Sequence, residues 1–452
     1  MKGFVPTPDR VVDRMVARLF KGRPPTRASR LLDPGCGHGA FIQGVLRWCR
    51  KNQQACPIIV GVEQDPDKLQ HANALLSGEA GVTLLQRDFL LQDLQPFDYI
   101  IANPPYVAIE KLSLAERTKY RERFATATGR LDLYLLFWER SLQLLTKGGR
   151  LVFITPEKYT YVESARPLRK VLDGFHVEEV MYAAEDTFPG LTTYPAITTV
   201  VNIESQDLTS ITFRDGRRRK VRLQSGGDSW QASIHGAPDL QGRRTLKDIA
   251  LRVSCGVATG ADKVFLFDAA SLPDDLGEFS HPTIAGRELR AQLPFPSPRK
   301  VLVTPYDRQG RLLPIGTLAS LAKYLHRPEV KKRLEARTCV EHKPWYAFHE
   351  TPPMPEILRP KIVCKDITGD PYFWTDKDGD RIPMHSTYYI VPRAPEMLEP
   401  LARFLNSPEA LEWLRGHCQR AANGFYRVQS AILKKLPVPD ALTGHEDFFP
   451  GR

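Results

Sequence analysis

Four consecutive residues, Asn103-Pro104-Pro105-Tyr106, carry the sharpest chemical signal in the chain. The nitrogen of an aromatic amine is a poor nucleophile because its lone pair is delocalised into the ring. An asparagine side-chain oxygen and one backbone carbonyl can accept its two N–H bonds. The nitrogen then moves toward tetrahedral geometry, and its lone pair points at an electrophile such as the methyl of a sulfonium. Pro105 restricts Pro104 to extended backbone, which fixes the aim of the Pro104 carbonyl. Tyr106 offers a flat face for a planar base. No dedicated general base is required, since the ammonium product sheds its proton readily; positioning and electrostatics supply the catalysis. The alternative, a proline-rich loop without chemistry, would not need Asn103 at a strand end.

A second constellation precedes it. Leu31–Asp33 runs into Pro34-Gly35-Cys36-Gly37-His38-Gly39, a turn in which glycines let the backbone approach a ligand in front of a helix N-terminus. Gly35, Gly37 and Ala40 also satisfy the dinucleotide fingerprint GxGxxA, so this turn alone leaves a nicotinamide cofactor open. Glu63 closes the apolar run 58–62, where a carboxylate can accept both hydroxyls of a ribose. Asp88 follows the run 82–85, placed to accept a hydrogen bond from an adenine amino group while Phe89 packs on the ring. Three successive strand ends suited to adenosine are together more specific than any one of them.

These groups need a scaffold that brings strand ends together. Apolar runs at 31–32, 58–62, 82–85, 99–102, 151–154 and 196–203 alternate with helical stretches, notably 41–50, 66–76 and 131–145. That alternation predicts a doubly wound, Rossmann-like α/β sheet with ligands at the carboxyl ends of its strands. Thr7-Pro8 sits where an N-cap and a first-turn proline would open a helix carrying Val11, Val12, Met15, Val16, Leu19 and Phe20.

The 452 residues exceed one ordinary domain, and 42% apolar with 25% charged residues describes a soluble globular protein. From about Gln206 the character changes, through the basic run 217–220 and a Gly/Ser-rich stretch. The expected division is a catalytic domain at 1–205, a linker at 206–244, a mixed α/β domain at 245–440 and a tail at 441–452. Residues 1–205 hold 26 Lys and Arg against 23 Asp and Glu, and the remainder 37 against 29, so the second half is expected to face a polyanion. The seven cysteines lie singly, with no CxxC pair, which predicts reduced thiols and no metal site. The N-terminus lacks the apolar run of a signal peptide, and the most apolar stretch, 131–138, is too short to span a bilayer. A cytoplasmic protein with no membrane contact is expected.

In their order along residues 1–205, these motifs resemble the amino-methylating DNA methyltransferases of restriction–modification systems, gamma class. The resemblance implies a class I methyltransferase domain, S-adenosylmethionine as cofactor and double-stranded DNA as partner. It also implies a monomer whose cognate restriction endonuclease, where one exists, is a separate protein. Cofactor contacts fall on Thr7, Asp33, Gly35, Cys36, Gly37, Glu63, Gln64, Asp88, Phe89, Asn103 and Pro105. Catalysis falls on Asn103, Pro104, Pro105 and Tyr106. The flipped-out target base would stack on Tyr106 and on Phe188, with Tyr194 the substitute for Phe188. The family's NPPY form goes mostly with adenine N6. Residues 249–268 and 421–439 look like the opening and close of a DNA target-recognition domain, in which Lys365, Asn423 and Arg427 are candidate base contacts. Methylation of cytosine N4, of RNA adenine or of protein glutamine shares the same amine chemistry and stays open.

Overall fold

The first helix forms because its apolar residues recur at helical spacing: in α1 (Asp9–Leu19), Val11, Val12, Met15, Val16 and Leu19 are all buried. Its N-cap is Pro8 and carries no side-chain cap, so Thr7 lies one position outside the helix instead of capping it. The computed structural model describes residues 6–129, 132–188, 194–204, 207–236, 244–421 and 425–442, in two units, Met1–Ile234 and His235–Arg452.

In the first unit the elements following α1 are β1 (Arg30–Asp33), α2 (Ala40–Lys51), β2 (Ile58–Glu63), α3 (Pro66–Leu75), β3 (Val82–Gln86) and β4 (Phe97–Ala102). Then come α4 (Leu114–Arg123), α5 (Tyr134–Gln143), β5 (Leu145–Pro156), α6 (Arg166–Leu172), β6 (His176–Tyr182), β7 (Pro195–Val201), β8 (Thr209–Thr212) and β9 (Arg218–Val221). The nine strands form one sheet in the order β3-β2-β1-β4-β5-β7-β6-β8-β9. Strands β1 to β5 pair in parallel, whereas β7 is antiparallel to both β5 and β6. Both faces are covered, and β4 shows it residue by residue. Tyr99 and Ile101 enter the core beneath α1 and α2, while Ile100 and Ala102 enter the core beneath α4 and α5. This is the doubly wound α/β sheet expected from the alternation, with antiparallel and edge strands added beyond β5. The strand order reverses between β1 and β4, which opens a crevice at their carboxyl ends.

The region expected as a linker belongs largely to this sheet. Strands β8 and β9 extend it beyond β6. Trp230 is 1% exposed and meets Tyr159 edge-on at 5.8 Å. The Arg169 guanidinium, buried, donates to the carbonyls of Gly227 (3.0 Å) and Asp228 (2.8 Å). β8 (TSIT) is only four residues long with one large apolar residue, and β9 (RRKV) is mostly exposed basic residues, so neither carries a strong strand signature in the sequence. Placing the boundary at Ile234 also changes the charge count. The first unit holds 32 Lys and Arg against 26 Asp and Glu and the second 31 against 26, surpluses of 6 and 5.

The second unit is mixed α/β. An antiparallel sheet orders Ala250–Cys255, Thr387–Pro392, Lys361–Lys365 and Phe373–Asp376, with the helices Leu398–Leu405 and Pro408–His417 contributing to the same core. Lys361 and Asp376, opposite each other in this sheet, form a buried ion pair at 2.6 Å. A second four-stranded sheet and a three-stranded one complete the unit. Lys365 ends one strand, and Arg427 pairs with Asp366 at 3.4 Å; Asn423 lies outside the described residues. All seven cysteines are free thiols. Among the described residues no helix is long and apolar enough to cross a membrane, and no cluster of three or more His, Cys, Asp or Glu could hold a metal.

Candidate functional site

A cavity of about 250 Å³ opens at the carboxyl ends of β1, β2, β3 and β4. Thr7, Gly35, Cys36, Glu63, Gln64, Asp88, Phe89, Asn103, Pro104 and Pro105 all line it. They come from separate stretches of sequence, and the strand ends bring them together.

The glycine turn works as a backbone device. Gly37 has φ +54° and Gly39, the N-cap of α2, has φ +86°, a region that side chains with a Cβ rarely adopt. Gly37 does not line the cavity itself; its N–H donates to Glu63 Oε2 at 3.0 Å. Glu63 Oε1 accepts from the backbone N–H groups of Gln64 and Asp65, both at 2.9 Å. Each carboxylate oxygen has two lone-pair directions. Glu63 therefore holds the turn to the start of α3 and keeps one direction, on Oε2, for a hydroxyl, where both ribose hydroxyls were expected.

Asp88 keeps two. Its Oδ1 accepts from Leu90 N–H at 2.9 Å and its Oδ2 from the Tyr120 hydroxyl at 2.9 Å. Phe89 lies 5.1 Å from Phe137, and both rings face the cavity. At the other end, Asn103 Nδ2 donates to Thr7 Oγ1 at 3.1 Å. The threonine expected as a helix cap thus orients the amide instead.

Besides Gly37, three expected residues stand apart from the cavity wall. Asp33 is fully buried at the end of β1, and neither carboxylate oxygen has a hydrogen-bond partner. Burial, and then the charge of Glu63, holds its carboxyl well above the usual carboxylate range. Tyr106 sits behind the wall, its hydroxyl donating to Ile154 O at 3.1 Å and its ring edge-on to Tyr134 at 6.1 Å. Phe188 is 1% exposed in the core cluster that includes Tyr99, Met181 and Ile197, and so offers no stacking face here. A large aromatic among β-sheet neighbours buries more area in the core than at a cavity rim, which is why the local motif misplaced it. Tyr194 is half-buried, with the Arg214 guanidinium 5.3 Å over its ring.

Sequence reasoning missed His38, Lys68, Arg87, Tyr120, Leu133 and Phe137, which also line the cavity. Tyr120 belongs to α4, in the excursion between β4 and α5. A findable signal was there: Ser113 and Glu116 form a capping box that opens α4.

The acceptors left on Glu63 and Asp88 and the apolar Phe89 and Phe137 fit an adenosine derivative. Fold and cavity together define a class I methyltransferase domain, whose cofactor is S-adenosylmethionine. Residues 52–188 match the family model of the Eco57I restriction-modification methylase. The chain is similar to the Type II methyltransferase M.PaeR7I of Pseudomonas aeruginosa, 26% identical over 92% of this chain and 82% of the relative. M.XhoI of Xanthomonas vasicola is 25% identical over 91% of this chain and 86% of its own. M.TthHB8I of Thermus thermophilus is 35% identical over 42% of each. The fold is shared with the ATP-dependent Type ISP restriction-modification enzyme LlaBIII, with a TM-score of 0.50 at 11% identity, over 86% of this chain and 33% of that one.

Proposed function

We propose that the protein transfers a methyl group to the exocyclic N6 of adenine in double-stranded DNA, as the modification enzyme of a restriction–modification system. One observation carries the reading: the Asn103 amide and Pro104 stand on the wall of the same cavity whose far end holds Glu63 and Asp88. The Type II names of its relatives support DNA as the substrate. Bound S-adenosylmethionine supplies an electrophilic methyl. Glu63 and Asp88 would hold its ribose and adenine, with Phe89 and Phe137 against the ring. Asn103 Oδ1 and the Pro104 carbonyl accept the two N–H bonds of the amine, and Thr7 keeps the Asn103 amide from rotating away. The target adenine leaves the duplex at a cost of a few kcal/mol, and Tyr106 stacks on it once there. The second unit is assigned target recognition.

The test is nucleoside mass spectrometry on DNA exposed to the purified enzyme and labelled cofactor. N6-methyladenine is expected. N4-methylcytosine in its place would overturn the choice of base, and label only in RNA or protein would overturn DNA. Asn103→Ala should slow transfer by about 10²–10³-fold or more, the usual cost of losing a preorganised polar contact to the reacting group. Cofactor affinity should stay within about twofold.

A further inference from the structure

The basic run that composition assigned to the second half of the chain is part of the first unit, and strand directions say where it points. β8 runs parallel to β6, β6 and β5 are both antiparallel to β7, and β5 is parallel to β4. β8 therefore runs in the same sense as β4. Its carboxyl end, and the turn leading into β9, lie at the sheet edge that carries Asn103–Tyr106. A side-chain contact agrees: Arg214, in that turn, pairs with Glu157, which follows the end of β5. β8 stands four strand spacings from β4, about 20 Å at about 4.8 Å each. That is less than one helical turn of duplex, about 34 Å.

The charges in this hairpin are of two kinds. Arg214 is committed, to Glu157 and to the faces of Tyr182 and Tyr194, and Arg217 pairs with Asp215. Arg218, Arg219 and Lys220 are exposed and make no ion pair among the described residues. Arg18, Arg47, Arg50, Arg123, Arg150 and Arg166 elsewhere in the unit each have an acidic partner. The exposed Arg10, Arg14, Arg27 and Arg121, however, make no ion pair among the described residues, so it is position in the sheet and not lack of a partner that sets the hairpin apart. Basic side chains on β9 also blunt a free sheet edge. Edge protection works anywhere along a strand, however, and does not account for unpaired arginines gathered at its catalytic end. Arg218 is opposite Thr212, the last residue of β8.

We propose that the β8–β9 hairpin is a phosphate-contact element for duplex DNA, with Arg218 and Arg219 taking the backbone beside the target base. The proposal rests on the DNA reading given above. It is tested by binding of full-length protein to a fluorescent duplex over a series of salt concentrations. Arg218→Gln/Arg219→Gln is compared with Arg50→Gln/Lys51→Gln, an equal charge change at the end of α2, on the opposite edge of the sheet. The hairpin variant should bind about tenfold more weakly at low salt. Its slope of log K against log salt should fall by about 0.9 for each phosphate no longer neutralised. The α2 variant should bind within about twofold of wild type, and both should keep the wild-type thermal midpoint and cofactor affinity. An unchanged slope in the hairpin variant would overturn the proposal, as would equal weakening in the two variants, which would make net charge the cause. Absence of duplex binding by the wild type would instead overturn the DNA reading itself.

Discussion

The two units carry almost the same charge surplus, yet only one of them could be read for chemistry. In the first, the cavity is built on backbone devices with their own sequence signatures: a glycine turn at φ +54° and +86°, acids at strand ends, an Asn-Pro-Pro after β4. In the second, small sheets and short helices surround a core that includes the buried pair Lys361–Asp376. Moving a methyl group needs one fixed geometry, which backbone constraints leave visible in sequence. Reading bases needs side chains whose meaning depends on which loop enters a groove.

The contrast depends on where one unit ends and the other begins, and truncation there has the largest expected effect. A fragment ending at 205 loses β8, β9 and Trp230, leaving the β6 edge open and Tyr159 uncovered. It should fail to unfold cooperatively. A fragment ending at 234 should melt cooperatively and bind cofactor. Calorimetry on both fragments decides; equal behaviour would return the boundary to 205.

Within the first unit, two aromatics with the same expected role now stand apart. Phe188→Ala removes a core ring and should cost about 3–5 kcal/mol of stability. Tyr106→Ala should slow transfer by about 1–3 kcal/mol, the range for base–aromatic stacking, and a mismatch opposite the target should partly rescue it. Denaturant titration beside single-turnover rates separates the two. Rescue of Phe188→Ala by a mismatch, without a loss of stability, would restore its stacking role.

How far the sequence could be read follows from these cases. The parallel core of the sheet, the cavity wall from Gly35 to Pro105 and the cofactor class were legible because each depends on a short local pattern. Strands β8 and β9 were not, since β8 is four residues with a single large apolar one and the exposed basic residues of β9 carry no strand periodicity. Phe188 was misplaced because burial is decided by partners far away in the chain. Tyr120, on α4, was missed because its partner, Asp88, lies just past the end of β3, 32 residues away in the chain. Tyr120→Phe tests that last point: loss of a hydrogen bond to a charged group, about 1.5 kcal/mol at the low end, should weaken cofactor binding about tenfold. Calorimetric titration with S-adenosylhomocysteine measures it without turnover. Unchanged affinity would mean that Asp88 holds its orientation on the Leu90 N–H alone.

The smallest effect is that of Asp33, set against the buried aspartate of the second unit. Asp376 has Lys361 at 2.6 Å, whereas neither oxygen of Asp33 has a partner. Burial first, and Glu63 second, raises the Asp33 carboxyl well above its ordinary range. An acid whose folded pKa is raised binds more protons in the folded state than in the unfolded one. Ligand-free stability from this group is therefore fully present below the unfolded value, about 3.9, and is lost as pH rises from there toward the folded pKa. Asp33→Asn keeps the shape and removes the titration. Urea unfolding of ligand-free wild type and variant at about pH 4.5, 6 and 7.5 should show the variant gaining on wild type as pH rises, with the other titrating groups cancelling in the difference. Asp376→Asn should do the opposite of relieving the fold: it strands Lys361 as an uncompensated buried charge and destabilises by about 3–5 kcal/mol, the usual cost of breaking such a pair. If Asp33→Asn instead runs parallel to wild type across the pH series, Asp33 does not titrate with folding, and burial without a partner at the end of β1 does not set it apart from the paired aspartate of the second unit.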